Sequence, residues 1–325
     1  MRIYRAEDID PAPLAGKRIA IVGYGNQGRA QALNLADGGF DVVVGLREGS
    51  ASAERCAADG IACAPIEQSV EGAALTMLLA PDETLGPIYA RIAPFLGQGT
   101  AIGFSHGLAI RFGDIDPRPA LDVIMIAPQG PGTALRSLFE AGAGMPALFA
   151  VAQDASSSAE AMALAYGRAI GCARAGLIPS SFAEECEADL FNEAAVVWGA
   201  VPEILVAGYE TLVEAGFSEE VAFMECVGEL KLLADLIEQR GIAGMREAIS
   251  NTAELGAVTG GPRIVDGRVR AEMRAILARI RSGDFAALLR SEASAGHPML
   301  EQARRAAAAS PVERARTRIA ALFGR

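Results

Sequence analysis

Two pairs of carboxylates in the second half of the chain have a spacing that suits metal chemistry. Asp189 and Glu193 are four residues apart, as are Glu225 and Glu229, and both segments have helical periodicity. This spacing places the acids of a pair on one face of an α-helix, where like charges repel unless a cation lies between them. Four convergent carboxylates are hard oxygen ligands, which Mg²⁺ prefers. Two solvated acidic helix faces are the alternative interpretation.

A glycine-rich segment near the N-terminus has the pattern of a dinucleotide-binding turn. An apolar segment, 18–22, leads directly into G-x-G-x-x-G, and a helix-prone stretch follows. Glycines at these positions permit a tight turn and let a pyrophosphate approach the N–H groups of the helix N-terminus. We therefore predict that a nicotinamide dinucleotide binds to this segment, which consists of Gly23, Tyr24, Gly25, Asn26, Gln27 and Gly28.

The loop after the second predicted strand bears on the choice between NADPH and NADH. An NAD site usually places an acid there for the ribose, whereas this loop carries Arg47, Ser50 and Ser52. An arginine and two hydroxyls suit the 2′-phosphate of NADPH. Glu48 opposes that interpretation, and an ordinary solvated turn is a further alternative. We predict NADPH, with NADH as the less favoured coenzyme.

Composition limits the class of protein and its partners. The 325 residues suffice for two domains with complete cores, and 51% hydrophobic with 6% aromatic residues is typical of a helix-rich soluble enzyme. A net charge of −11 opposes non-specific binding to nucleic acid or to an anionic membrane. No apolar run reaches the roughly 18 residues needed to span a bilayer. Five cysteines without metal-site spacing predict free thiols in a reducing cytoplasm.

The order of predicted elements indicates two domains. Strand and helix patterns alternate over residues 1–180, which predicts an α/β domain with a Rossmann-type, doubly wound parallel sheet. Residues 181–325 have helical periodicity only, which predicts an all-α domain. The predicted strands are 18–22, 40–45, 75–79, 101–104, 123–126 and 147–151, and the predicted helices of the second domain are 182–199, 202–215, 218–239, 270–281 and 298–309.

With these segments in view, the chain closely resembles the short, class I ketol-acid reductoisomerases over essentially its full length. Besides the glycine-rich turn and the loop from Val44 to Ser52, the matching motifs are Ser105-His106-Gly107, Asp189-Leu190-Phe191-Asn192-Glu193, Glu225-Cys226-Val227-Gly228-Glu229-Leu230-Lys231 and Ile249-Ser250-Asn251-Thr252-Ala253-Glu254. The resemblance implies conversion of 2-acetolactate and 2-aceto-2-hydroxybutyrate to 2,3-dihydroxy acids in branched-chain amino-acid biosynthesis. It also implies NADPH, Mg²⁺ and a knotted helical domain shared within a homodimer or larger homo-oligomer.

The resemblance also assigns roles to particular residues. Asp189 and Glu193 would bind the metal together with Glu225 and Glu229 of a neighbouring subunit, and Glu193 and Glu229 would also transfer protons. Ser250 would hydrogen-bond the substrate, and His106 would lie beside the nicotinamide. Further contacts to the coenzyme are implied for Asp82, Glu83, Thr84, Leu85 and Gly132.

The chain departs from the family pattern around the implied substrate pocket. Gln129 stands in Ala-Pro-Gln-Gly-Pro-Gly where the family carries a catalytic lysine, and an amide carries no charge. Losing a cation beside an anionic transition state costs on the order of 3 kcal/mol. Trp198 replaces a much smaller residue and would narrow the pocket, Glu247 replaces an aromatic residue, and Gly228 replaces a histidine. Neutral drift or altered packing is the alternative explanation for each change.

Three interpretations of function remain open at this stage. The first is an ordinary ketol-acid reductoisomerase. The second is a diverged NAD(P)H-dependent reductase of a ketone or imine in a specialised pathway, which performs no alkyl migration. The third is a non-catalytic dinucleotide-binding or assembly protein on the same scaffold.

Overall fold

The computed structural model describes residues 2–324, which form two compact units. The first unit extends to Ala188 and the second begins at Asp189. The division falls inside helix α8 (Phe182–Ala195), further along the chain than the predicted boundary at residue 180. The reason is that the first turns of α8 bury Phe182, Glu185 and Cys186 within the first unit.

An eight-stranded sheet forms the centre of the first unit. In spatial order the strands run β3-β2-β1-β4-β5-β6-β7-β8. The order reverses between β1 and β4, and the crevice at such a reversal is where doubly wound folds bind their ligands. The strands are β1 (Arg18–Val22), β2 (Asp41–Leu46), β3 (Ala62–Pro65), β4 (Leu75–Leu78), β5 (Ala101–Phe104), β6 (Asp122–Pro128), β7 (Ala147–Gln153) and β8 (Leu177–Pro179).

All six predicted strands are present. The prediction missed two further strands, β3 and β8, and it gave the wrong direction for β7. β3 is an exposed edge strand of alanine, cysteine and proline, and β8 has only three residues, so neither has a strong strand pattern. β7 pairs antiparallel with β6, and the sheet is therefore mostly rather than wholly parallel. An apolar strand has the same residue pattern in either direction, so the sequence did not reveal this reversal.

Both faces of the sheet are covered, which explains the continuous apolar runs of its strands. In β1, Ile19 and Ile21 pack into one buried cluster, while Ala20 and Val22 pack into another on the opposite face. The covering helices of the first unit are α1 (Asn26–Asp37), α2 (Ser52–Ala58), α3 (Ile66–Val70), α4 (Asp82–Ile92), α5 (Leu108–Arg111), α6 (Gly132–Glu140) and α7 (Ala159–Ala169).

The second unit is all-helical, as predicted. It begins within α8 and continues through α9 (Ala200–Glu214), α10 (Glu219–Phe223), α11 (Leu230–Ala248), α12 (Asn251–Ile264), α13 (Gly267–Ser282), α14 (Asp284–Ser294), α15 (Pro298–Ala309) and α16 (Pro311–Leu322). Helices α12, α14 and α16 were not predicted. Gly260, Gly261 and Pro262 lie inside α12, and because glycine and proline are poor helix formers, this helix has a weak sequence pattern.

The single helix predicted over 218–239 is wrong, because the chain forms three elements there. A π-helical turn, Met224–Gly228, separates α10 from α11, and Gly241 interrupts α11 with a positive φ of 67°. Turns of this kind occur mostly as single insertions in α-helices and frequently at functional sites. Glu225 lies on this π-turn, and Glu229 is the N-cap residue of α11.

One stretch, Phe182–Glu214, is long and apolar enough to cross a membrane when judged by length and composition alone. It consists of α8 and α9 with a turn at residues 196–199 between them, and it carries Asp189 and Glu193. A bilayer span needs a continuous hydrogen-bonded helix without exposed charge. This stretch is interrupted by a turn and carries acidic side chains, so it does not meet that requirement.

Candidate active site

The glycine-rich turn has the geometry that a dinucleotide requires. A Cβ on Gly28 would lie 2.4 Å from the Gly23 carbonyl oxygen, and Gly23 has a φ of +103°, so neither position accepts a side chain. A Cβ on Gly25 would meet nothing within 4 Å, so that residue faces open space. Gly25 is also the N-cap of α1 and supplies no side-chain acceptor, which leaves N–H groups of the first turn available to an anion.

The segment 129–132, which follows β6, contacts this turn directly. Gln27 Nε2 donates to the Gly130 carbonyl oxygen at 2.8 Å, and the Thr133 N–H donates to Asn26 Oδ1 at 2.9 Å. A Cβ on Gly132 would lie only 2.1 Å from the Asn26 carbonyl oxygen, so the close approach requires glycine. The structure thus brings Gly132 together with Asn26 and Gln27, although they are more than one hundred residues apart.

A carboxylate that the sequence analysis missed stabilises the turn from the other side. Asp59, at the end of α2, accepts hydrogen bonds from Arg29 Nε at 2.6 Å and Nη2 at 2.7 Å, and from the Tyr24 hydroxyl at 2.9 Å. The bond from Arg29 holds the pKa of Asp59 below its usual value. Burial and the bond to Asp59 raise the pKa of Tyr24, so its hydroxyl stays protonated and continues to donate.

The loop that follows β2 is a tight turn with polar groups on its surface. The Ser50 N–H donates to the Arg47 carbonyl oxygen at 3.1 Å, and the Ser52 N–H donates to Ser50 Oγ at 3.3 Å. Arg47 is exposed, and Ser50 and Ser52 are half-buried at the start of α2. The structure therefore groups these three predicted coenzyme residues in the short segment that runs from the carboxyl end of β2 to the first residue of α2.

The segment Asp82–Leu85 forms the first turn of α4, at the carboxyl end of β4. Thr84 Oγ1 donates to the Pro81 carbonyl oxygen at 2.6 Å, and Leu85 is buried, so these two side chains stabilise the turn. Asp82 and Glu83 occupy the N-terminal turn, where a helix dipole favours negative charge. Asp82 also acts electrostatically on His106, which follows β5.

Glu185, a second residue that the sequence analysis did not select, fixes the position of His106. Its Oε1 lies 3.1 Å from His106 Nδ1, and its Oε2 accepts the Gly107 N–H at 2.7 Å. The Glu185 side chain is only 4% exposed, so this carboxylate is removed from water. A helical series of acids, Glu185, Asp189 and Glu193, is the signal that could have identified it.

His106 is held in its charged form by these neighbours. Burial by itself lowers the pKa of His106, but contacts with Cys186 and Glu185 outweigh it and raise the pKa to about 11. Cys186 Sγ lies 3.9 Å from His106 Nε2. Burial raises the pKa of the Cys186 thiol, so it remains protonated. His106 therefore supplies an imidazolium next to the Glu185 carboxylate. Cys186 is a neutral thiol and not a thiolate nucleophile.

The four predicted metal ligands lie on two separate elements of the second unit. Asp189 and Glu193 follow Glu185 at one-turn intervals on α8, while Glu225 and Glu229 are exposed on the π-turn and just after it. Within residues 2–324, no three of these four acids bring ligand oxygens within 4.8 Å of one another. The described part of one chain therefore does not close a four-carboxylate cage.

Three other predicted residues have the following positions. Gln129 is exposed, and its Nε2 donates to the Ala127 carbonyl oxygen at 3.1 Å. Ser250 is the N-cap of α12, and its Oγ accepts the Ala253 N–H at 3.2 Å, which leaves the hydroxyl proton free to donate elsewhere. Trp198 is 70% exposed and lies on the turn after α8, and not on the helix as predicted.

The residues present fit a nicotinamide dinucleotide. A doubly wound sheet carries a glycine-rich turn where its strand order reverses, and the helix that follows has N–H groups without a side-chain cap. The donor set of the second unit fits a hard divalent cation, because all four candidate ligands are carboxylates. Fold and site together define a dinucleotide-binding oxidoreductase of the Rossmann type.

Comparison with known families identifies the family of oxidoreductases to which the chain belongs. A model described as the NADPH-binding domain of acetohydroxy acid isomeroreductase matches residues 13–176, and a model of the C-terminal domain of ketol-acid reductoisomerase matches residues 182–324. The chain therefore belongs to the ketol-acid reductoisomerase family of NAD(P)H-dependent oxidoreductases. The resemblance seen in the sequence motifs is confirmed over both halves of the chain.

Solved structures agree with this assignment. The chain is similar to an NADH-preferring ketol-acid reductoisomerase from an uncultured archaeon, with 40% identity, a TM-score of 0.96 and full coverage (100%) of both chains. A semialdehyde dehydrogenase NAD-binding protein from Cupriavidus necator has 19% identity and a TM-score of 0.57, over 80% of this chain and 99% of that one. A pyrroline carboxylate reductase from Plasmodium falciparum has 11% identity and a TM-score of 0.53, over 83% and 98%. The last two share the fold only.

Proposed function

We propose that this protein converts 2-acetolactate to 2,3-dihydroxy-3-methylbutanoate by alkyl migration followed by hydride reduction. The observation that carries the proposal is that one chain combines the dinucleotide turn, Gly23 to Gly28, with both family carboxylate pairs. The first set suits a hydride donor, and the second suits Mg²⁺. A simple dinucleotide reductase needs only the first.

The proposed roles follow from the chemistry of the side chains. Mg²⁺ bound by Asp189, Glu193, Glu225 and Glu229 would supply Lewis acidity, and the coenzyme would supply the hydride. Glu193 or Glu229 would accept the proton of the substrate's C2 hydroxyl, since a carboxylate in hydrogen-bond reach can act as general base. Ser250 would donate its hydroxyl proton to the substrate.

His106 and Gln129 would act from the first unit. The imidazolium of His106 would stabilise negative charge near the nicotinamide, and Glu185 would keep that ring oriented. Gln129 has an amide where the family carries a lysine, so it would donate a hydrogen bond without adding positive charge. We therefore expect slower turnover than a lysine would support.

We further propose NADPH as the preferred coenzyme. Arg47, Ser50 and Ser52 gather on the loop after β2, and they can donate several hydrogen bonds to a 2′-phosphate. The archaeal relative prefers NADH, which makes the comparison of the two coenzymes informative. A ratio of kcat/KM for NADPH over NADH above one supports the proposal, and a ratio below one contradicts it.

A second candidate function is reduction of a ketone or imine without alkyl migration. The observation that favours it is Gln129, because a changed catalytic position with intact coenzyme residues suggests a lost half-reaction. Coenzyme oxidation with 2-acetolactate, and separately with 3-hydroxy-3-methyl-2-ketobutyrate, distinguishes the two functions. Each substrate is tested with and without Mg²⁺.

An isomeroreductase uses both substrates and needs Mg²⁺ for 2-acetolactate. Rapid use of the rearranged ketone alone would favour the reductase. Binding of NADPH without turnover of any keto acid or cyclic imine would leave only a non-catalytic role.

We also propose that a second copy of the chain covers the second unit and completes the site. Helices α11 and α12 contain no buried residue, although both carry many apolar side chains. Such a surface is typical of an obligate interface. The exposed apolar residues include Leu230, Leu232, Leu233, Ile237, Ile242, Leu255, Val258 and Ile264.

Analytical ultracentrifugation across a dilution series tests this proposal. We expect a homodimer or larger oligomer whose dissociation abolishes turnover. A fully active monomer would contradict it. The five free thiols of the structure are compatible with the cytoplasmic location that we propose for the protein.

A further inference from the structure

A positively charged cavity lies beside the glycine-rich turn. It has a volume of about 250 Å³ and opens between the N-termini of α1 and α6, with α2 on its third side. We call it the arginine cavity, and the lining residues that matter here are Gly25, Asn26, Arg29, Arg55, Gly132 and Arg136. Every one of these residues belongs to the first unit.

The three arginines differ in how their charges are compensated. Arg29 is paired with Asp59 at 2.6 Å, and Arg136 is paired with Asp37 at 2.6 Å and with Glu140 at 2.9 Å. Arg55 forms no hydrogen bond or ion pair with any residue in the described range, 2–324. Among the described residues, the cavity therefore holds one guanidinium that is not hydrogen-bonded or ion-paired, although its charge acts on nearby Asp59, together with main-chain N–H groups at two helix N-termini.

We propose that Arg55 is a further coenzyme-binding residue, whose guanidinium binds a phosphoryl group of the dinucleotide in the arginine cavity. This inference rests on the proposed coenzyme site and extends it to a residue outside the family motifs. Its position supports the assignment. Arg55 lies one helical turn after Ser52 on α2, and it faces the cavity in which Gly25 and Asn26 begin α1.

The chemistry of the guanidinium suits this role. Arginine presents a rigid fork of N–H donors that matches the oxygens of a phosphate. In the proposed coenzyme site, the cavity would adjoin two phosphoryl positions of a dinucleotide. The pyrophosphate, present in both coenzymes, would bind at the N-terminus of α1, and the 2′-phosphate, present only in NADPH, would bind near Ser50 and Ser52.

Equilibrium binding of each coenzyme in the absence of substrate tests the proposal. The dissociation constants of NADPH and NADH are measured by nicotinamide fluorescence for the wild-type protein, for Arg55→Gln and for Arg55→Lys. The matched control is Arg18→Gln. Arg18 is also a surface arginine, but it pairs with Asp41 at the amino end of β1, which is the opposite edge of the sheet.

We expect Arg55→Gln to raise the dissociation constant of at least one coenzyme about tenfold, as loss of a charged hydrogen bond should. Arg55→Lys should recover part of the affinity, and Arg18→Gln should bind as the wild type does. An equal loss for both coenzymes assigns Arg55 to the pyrophosphate, and a loss for NADPH alone assigns it to the 2′-phosphate. Salt should weaken wild-type binding more than binding by Arg55→Gln, because a charge contact is screened.

Unchanged dissociation constants for both coenzymes in Arg55→Gln would overturn the assignment. Arg55 is exposed, so its replacement should leave the melting temperature unchanged, and a folded variant can be verified by circular dichroism. The measurement involves no turnover. A tenfold loss of coenzyme binding would therefore still support the role of Arg55 if the protein catalysed a reaction other than the proposed one. A wild-type protein that binds neither coenzyme would overturn both the assignment and the proposed function.

Discussion

Replacing Asp59 with asparagine tests whether this carboxylate stabilises the coenzyme-binding turn. Asp59→Asn removes the negative charge that accepts two bonds from Arg29 and one from Tyr24, and it keeps the size of the side chain. The Asp59 side chain is 15% exposed and that of Arg29 is 41% exposed. The pair is thus neither fully screened nor fully buried.

The magnitude follows from that intermediate exposure. An exposed ion pair contributes up to about 1 kcal/mol, and loss of one partner of a buried pair costs about 3–5 kcal/mol. We expect Asp59→Asn to reduce the free energy of unfolding of the first unit by about 2 kcal/mol. For a unit of this size, that loss lowers the melting temperature by roughly 4–8 °C.

Scanning calorimetry at pH 7 measures this loss, with Asp41→Asn as the matched control. Asp41 pairs with Arg18, but their side chains are 59% and 49% exposed, so the control should lose about 0.5 kcal/mol or less. Equal losses in the two variants would refute the argument from burial.

The pH dependence of the loss provides a second check. The folded-state pKa of Asp59 is lowered, so its contribution is present above the unfolded pKa of about 3.9 and disappears as pH falls through the folded pKa. The difference between Asp59→Asn and wild type should therefore be constant from pH 8 to pH 5 and shrink below about pH 4. A difference that grows on acidification would contradict the assignment of the charged form.

Three further predictions concern the site. Gly25→Ala should bind NADPH at least about tenfold more weakly at an unchanged melting temperature, because its Cβ would meet no protein atom but would occupy the open space where we propose that the pyrophosphate binds; normal binding in a titration would contradict this. Glu185→Gln should lower the pKa of His106 from about 11 by about two units in an NMR titration, whereas Glu184→Gln, which alters an exposed acid on the same helix, should leave it unchanged. Gln129→Lys should raise turnover of 2-acetolactate at least severalfold, since it restores a cation at the family's lysine position; unchanged kcat would show that the lost charge is not limiting.

The sequence was most informative where local residue pattern determines structure. Strand β1 and the glycines at 23 and 28 were predictable, because buried strands are apolar throughout and no other residue fits those two positions. The antiparallel direction of β7 was not predictable, since it depends on the path of the connection and not on the strand's own residues. The π-turn at Met224–Gly228 was missed because its residues have ordinary helical periodicity.

The candidate site shows the same division between local and long-range information. Gly132, His106 and the carboxylate pairs stand within recognisable motifs, so the resemblance could identify them. Asp59 stands in no motif, and its contact with Arg29 arises only when α2 packs beside α1. Arg55 became a candidate only when the structure placed it in a cavity with two other arginines.

Proton NMR of the product formed from 2-acetolactate, NADPH and Mg²⁺ tests the central claim most directly. Migration of the C2 methyl group followed by reduction gives 2,3-dihydroxy-3-methylbutanoate, whose two methyl groups on C3 both appear as singlets. Reduction without migration gives 2,3-dihydroxy-2-methylbutanoate, in which one methyl group is a doublet because its carbon neighbour carries a proton. We expect two singlets, and only when Mg²⁺ is present. A doublet would contradict the proposed isomerisation.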